Sequence, residues 1–179
     1  AEPVEGSNEW FWQQANLAYR TRQYDSGHQT LKELLEANPG DLELASRCLE
    51  RILRESARGS VYSYYRHYNH SLKRSVGRAK VDSRYADNPW VQFAAQRICS
   101  LQRLGRLRMN PRIVEQAVEV SLNYDVRHGR ALHAVELIDR FVDAYPQDPF
   151  WRISQASVYR RVGSSKTQAL YDRLFAEMD

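Results

Sequence analysis

Cysteine is scarce. Cys48 and Cys99 are the only two in 179 residues, too few for a disulfide scaffold, and neither sits in a C-x-x-C pair, so zinc-ribbon and thioredoxin-like readings drop out. Turn formers are scarce as well: eight Gly and six Pro exclude collagen-like and linker-like sequence and leave few sharp turns, which favours long helices. No run of about 18 apolar residues occurs, so no segment reads as a membrane span. Lys is nearly missing among the cations, with four residues (32, 73, 80 and 166) against 22 Arg; Arg is the better bidentate donor to carboxylate or phosphate. H-E-x-x-H, G-x-S-x-G and Gly-rich phosphate loops are all lacking.

What is present is enough apolar material, 42% of residues, for a real core in one ordinary domain or one short repeat array spanning 1–179. Charge is distributed unevenly. Residues 1–50 carry 4 basic and 9 acidic side chains, residues 51–112 carry 14 and 3, and residues 113–179 carry 8 and 10. The middle third therefore concentrates a positive field that can steer an anionic partner, and the ends do not. The chain begins Ala-Glu-Pro-Val-Glu-Gly, as a processed mature protein or a piece of a larger one does. A cleaved export signal leaves such an end and implies a periplasmic or exported protein; otherwise a cytoplasmic one is expected.

Apolar residues recur at intervals of three and four almost throughout, which predicts an all-α protein. The expected helices, about nine, cover 8–22, 24–38, 41–57, 60–83, 88–105, 111–127, 130–145, 148–162 and 165–178, after a flexible 1–7 and with a capping helix at 165–178. Pro and capping Asp, Asn or Ser mark the breaks, at Asn38-Pro39-Gly40-Asp41, Asp87-Asn88-Pro89, Asn110-Pro111, Pro146-Gln147-Asp148-Pro149 and Gly163-Ser164-Ser165. Connections this short make neighbouring helices antiparallel.

Short, evenly spaced helices suggest stacked hairpins. The segment from Tyr24 to Asp41, with Gly27, Leu31, Leu34 and Pro39, resembles the second helix of a tetratricopeptide repeat, and Phe11, Ala15 and Ala18 suit its first helix. Ala134, Ile138, Phe141 and Pro146 repeat the spacing of Gly27, Leu31, Leu34 and Pro39, and a weaker third unit offers Ala156, Tyr159, Ala169 and Phe175. The chain departs from the family pattern at Gln14, Ser121 and Asp125. Pro39 and Pro146 stand 107 positions apart, not a whole number of roughly 34-residue repeats. The stretch 60–110 is thus an irregular, basic middle. Another α-solenoid, or a repeat array with an insertion, stays open.

The resemblance implies a right-handed superhelix of antiparallel hairpins, a tetratricopeptide-like α-solenoid without cofactor, metal or catalytic residue. Its concave groove, lined by the first helix of each pair, holds a peptide or helix of another protein. The groove places fall on Trp12, Asn16, Tyr19 and Arg20 in the first unit, Asn123 and Arg127 in a later one, and Arg160 in the last. An Asn there can pair with an extended backbone and an Arg with a carboxylate. A second candidate is the basic patch of Arg66, Lys73, Arg74, Arg78, Lys80 and Arg84, interleaved with Tyr62, Tyr64, Tyr65 and Tyr68. On a helix, Val61, Tyr65, Tyr68, Leu72 and Val76 form a buried stripe and the cations face out, towards an acidic protein surface or, alternatively, a nucleic acid, RNA included. His67 and His70 lie one turn apart, as do His133 and Glu136, but metal ligation needs three or four convergent ligands. Cys48 and Cys99 sit on apolar helical faces and read as inert core thiols. The expected function is a non-enzymatic scaffold or adaptor in complex assembly.

Overall fold

The computed structural model describes residues 1–57, 63–69, 74–80, 83–103, 109–163 and 176, and for 63–69, 74–80, 83, 84 and 103 it describes the backbone. In chain order the elements are α1 (Asn8–Arg20), α2 (Tyr24–Ala37), α3 (Leu42–Ser56), β1 (Ser63–Asn69), β2 (Arg74–Lys80), α4 (Ser83–Ala86), α5 (Pro89–Arg103), α6 (Pro111–Arg127), α7 (Ala131–Ala144) and α8 (Pro149–Arg161). The fold is carried by helices, as the periodicity predicts. Seven of the expected helices appear within two residues at each end. The expected cap at 165–178 lies outside the described residues apart from position 176.

The helices start where side chains can satisfy the free N–H groups of a first turn. Ser7 Oγ accepts from Trp10 N at 3.2 Å, Asp41 Oδ1 from Leu44 N at 2.9 Å, and Asn88 Oδ1 from Trp90 N at 2.9 Å. Asn110 and Asp148 do the same for α6 and α8, each followed by Pro at the first helical position, where no N–H is needed. The turn between α6 and α7 passes through Gly129 at φ +71°. The matching turn between α1 and α2 puts Arg22 at φ +60°, in the left-handed region that costs a residue with a Cβ about 1–2 kcal/mol.

One expectation is overturned. The helix expected over 60–83 is absent from the described residues of that span. Ser63–Asn69 and Arg74–Lys80 pair as an antiparallel two-stranded ribbon, with Tyr65 opposite Arg78 and His67 opposite Val76. The segment is poor in helix formers. It holds Tyr64, Tyr65 and Tyr68, which suit a strand, and Gly77, which costs a helix interior about 1 kcal/mol relative to Ala.

The ribbon and α4 are looped out between two helices that pack directly on each other. α3 contacts α5 as α1 contacts α2 and as α6 contacts α7, while α2 meets α3, α5 meets α6, and α7 meets α8. β2 and α4 rest on α6. One continuous core runs through the stack, including Leu31 and Leu34 of α2, Leu49, Ile52 and Leu53 of α3, Ile98 of α5 and Ile138 of α7. Each such side chain contributes about 1.5–3 kcal/mol by leaving water. α1 and α2 approach closely because Gly27 has no side chain: a Cβ there would lie 2.5 Å from Cε1 of Tyr19. No described helix is long and apolar enough to cross a membrane.

Candidate functional site

α5 and α7 both pack on α6 and touch each other only sparsely. Between them lies a groove of about 550 Å³, a size typical of binding pockets. α6, in contact with both, is the floor. The C-terminal ends of α5 and α7 are bridged by Gln102 Nε2, which donates to the Tyr145 hydroxyl at 2.5 Å.

The other end of the groove is charged. Asp125 of α6 has a side chain only 3% exposed and is held by His133 Nδ1 at 2.5 Å and Arg130 Nε at 3.6 Å. A carboxylate this buried needs such partners. Because an ionised carboxylate only accepts, Nδ1 of the half-exposed His133 ring donates to it. Between the two ends the walls turn apolar, with Leu137 and Phe141 of α7 facing Cys99 of α5. Burial pushes the Cys99 thiol up to about 12. Cys99 Sγ lies 3.9 Å from Ser121 Oγ and keeps its proton at neutral pH, so it is no thiolate nucleophile. Cys48 is raised to about 12 by the same cause.

Two wall residues carry an unmet hydrogen-bonding requirement. Gln92 is 8% exposed; its Nε2 donates to the Ala86 carbonyl at 2.6 Å, yet its Oε1 is buried without a partner. Gln102 repeats the pattern, with Nε2 paired to Tyr145 and Oε1 buried and unpartnered. Both oxygens are closed off from the groove by the packing around them.

The residues singled out from the sequence fall elsewhere. Trp12 is half-buried, with the Arg47 guanidinium 4.9 Å above its ring. Asn16, one turn on, is half-buried and without a partner. Tyr19 belongs to the core instead of a groove wall: it is 4% exposed, its hydroxyl pairs with His28, and Arg51 covers its ring at 5.0 Å. Arg20 and Arg160 are exposed. Asn123 Oδ1 accepts from Arg161 Nη2 at 2.9 Å, which ties α6 to α8. Arg127 is paired to Asp87 at 2.8 Å, and His128 reaches the same carboxylate at 3.0 Å. The hydrogen bonds from His128 and then Arg127 hold the Asp87 carboxyl below its usual range. No hydrogen bond, ion pair or ring contact joins the Trp12 set to the Asn123 set among these described residues.

Of the basic patch, Lys73 lies outside the described residues and Arg84 is the second residue of α4. Arg74, Arg78 and Lys80 occupy alternate positions of β2, opposite Asn69, Tyr65 and Ser63, and so share one face of the ribbon. Arg66 pairs with Gly77 and belongs to the other face. Among the described residues no three His, Cys, Asp or Glu side chains converge as a metal site would require.

Gln92, Gln96 and Gln102, three Gln within eleven residues at helical spacing, match no motif, and the groove they line is walled by the second helices of the pairs, where the family resemblance points to the first. No family model, curated protein or solved structure matches the chain.

Proposed function

We propose that the chain is a non-enzymatic scaffold or adaptor built of tetratricopeptide-like helical hairpins, and that it binds a peptide or helix of a partner protein. The observation that carries this is the α5–α7 groove itself, about 550 Å³ and lined by both polar and apolar side chains. Consecutive pairing of α1 with α2, α3 with α5 and α6 with α7 supports the repeat reading, with the ribbon inserted between α3 and α5. On this reading the partner sits between second helices, away from Trp12 and Asn16.

Ala144 is an exposed wall residue of the groove, so Ala144→Trp fills it without touching the core. Partner capture should fall more than tenfold with the melting temperature unchanged. Loss of capture in Trp12→Ala, with Ala144→Trp binding normally, would move the site to the α1 face.

A second reading, nucleic-acid binding, is favoured by the register that aligns Arg74, Arg78 and Lys80 with Tyr65 on one ribbon face. A two-stranded ribbon fits the major groove of a duplex, and interleaved Tyr and Arg suit a single strand. Oligonucleotide titration discriminates the two. Phosphate contacts through three cations should give a log–log salt slope near about −2 on a single strand, whereas an uncharged peptide groove should give none.

A further inference from the structure

We propose that β1 is a strand-addition site, whose outer edge takes up an extended, acidic segment of a partner protein as a third strand. The site is separate from the α5–α7 groove and does not depend on it. β1 and β2 form a two-stranded sheet, so among the described residues each has one ladder neighbour and one edge left over. The two edges are not equivalent. β2 rests on α6, whereas β1 has no comparable contact with a described helix, which makes it the outer strand. A strand turns every second N–H and C=O towards each of its edges, and an unpaired edge is a template for a further strand. The devices that blunt such edges are missing from β1. It is seven residues long, contains neither Pro nor Lys, and pairs with β2 residue for residue without a bulge. A two-stranded ribbon is marginal alone in water, so a third strand stabilises it as well as binding to it.

Charge selects the occupant. Neither strand holds an acidic residue, and together they carry Arg66, Arg74, Arg78 and Lys80. α4, which follows β2, adds Arg84 and no acid. α6 brings Glu115, Glu119 and Asp125 against Arg112 and Arg127, all from the β2 side, and Asp125 is already held by Arg130 and His133. Asp87, beyond α4, is held by Arg127 and His128. A strand added to β1 lies two ladder steps, about 10 Å, from β2, which is about one Debye length at roughly 0.1 M salt. Arg74, Arg78 and Lys80 share one face, so carboxylates on alternate residues of the added strand fall on the face of these cations. A second copy of β1 would bring Arg66 and no acid, so like charge disfavours self-pairing.

The test uses blocked peptides. N-acetyl-Glu-Val-Glu-Val-Glu-Val-Glu-amide, matched to β1 in length, is titrated into the full chain and followed by amide hydrogen exchange. The alternate amides of β1 that are turned away from β2 should slow at least tenfold on saturation. Two N-methylated analogues accompany it, one at the second, fourth and sixth residues and one at the third, fifth and seventh. A laddered strand donates through one of these sets and turns the other away, so one analogue should bind like the parent peptide and the other at least tenfold more weakly. Gln in place of Glu should weaken binding at least fivefold, and Lys should abolish it. Arg74→Glu combined with Arg78→Glu should weaken the parent peptide at least tenfold, and Ala144→Trp should leave it unchanged.

Equal weakening of both N-methylated analogues, tighter binding of the Gln or Lys analogue, or no slowing in β1 at millimolar peptide overturns the proposal. A ten-nucleotide oligothymidylate that binds more tightly than the peptide at about 150 mM salt also overturns it and assigns the ribbon to nucleic acid. Loss of peptide binding in Ala144→Trp would place the peptide in the groove instead. Since the adaptor reading is tested by partner capture with Ala144→Trp, failure of strand addition at β1 leaves that reading standing.

Discussion

The Tyr19 hydroxyl lies 2.9 Å from Nδ1 of His28, and Nε2 of the same imidazole lies 3.2 Å from Ser56 Oγ. One ring thus ties α1, α2 and α3 together. Trp90 of α5 packs against it at 5.4 Å between centroids, so the imidazole also touches the helix that walls the candidate groove. His28 is 2% exposed, and desolvation lowers its pKa to about 4, against the opposing pull of Asp25 and then Glu55.

That depression makes stability depend on pH with a definite sign. The unfolded chain takes up a proton near 6.5 and the folded chain near 4, so the contribution of His28 is complete above about 6.5. It falls as pH drops towards 4 and is constant below. The slope reaches about 1.4 kcal/mol per pH unit and the total is about 3 kcal/mol. Urea unfolding of the parent and of His28→Gln between pH 4 and 8 checks it: the difference between the two should shrink across that window, and a constant difference would refute it.

Tyr19→Phe should cost about 1–2 kcal/mol, since it strands Nδ1 of a buried imidazole while keeping the ring that Arg51 covers at 5.0 Å. Denaturant unfolding of Tyr19→Phe, His28→Gln and the double variant should give a coupling of about 1 kcal/mol. Strict additivity would show that the hydroxyl and the imidazole do not depend on each other.

Gly27→Ala sets two effects against each other. Helix propensity alone favours Ala by about 1 kcal/mol. The new Cβ would meet the Tyr19 ring at 2.5 Å, and that ring is pinned by His28 on one side and Arg51 on the other. Overpacking of this kind costs about 1–3 kcal/mol, so the net effect should be destabilising. A rise in melting temperature would show that the ring has room to move.

Helix positions were legible because their signals are local. Asp41, Asn110 and Asp148 cap the helices they precede, and Gly27 and Ala134 sit at matching small places in two pairs. The ribbon was not legible by spacing of three and four, since Tyr65 and Tyr68 satisfy that spacing as well as they satisfy a strand. What decided between them was Gly77 and the high Tyr content, which a count of apolar positions does not weigh. The groove was hidden for a different reason. Gln92, Gln96 and Gln102 match no motif, and that they line a groove depends on how α5, α6 and α7 pack. Asp125, His133 and Arg130 were visible one by one, but nothing in the sequence announced that a buried carboxylate would gather the other two.

The last prediction concerns the ribbon, and it separates a specific face from a general positive field. Arg78 pairs with Tyr65 and Arg66 with Gly77, on opposite faces of the same two strands. Arg78→Glu and Arg66→Glu change the net charge equally and lie at neighbouring ladder positions, so any long-range steering should suffer alike in both. A docking face should respond to Arg78→Glu, and more strongly to Arg74→Glu with Arg78→Glu, and hardly at all to Arg66→Glu. Because β2 rests on α6, thermal unfolding is measured for every variant, and capture is compared among those within about 0.5 kcal/mol of the parent. Capture of an acidic partner or an oligonucleotide is compared at 50 and 300 mM salt, where the Debye length shrinks from well above to well below about 10 Å. Equal losses from the two single reversals that vanish at high salt would mean that the middle of the chain attracts its partner without holding it.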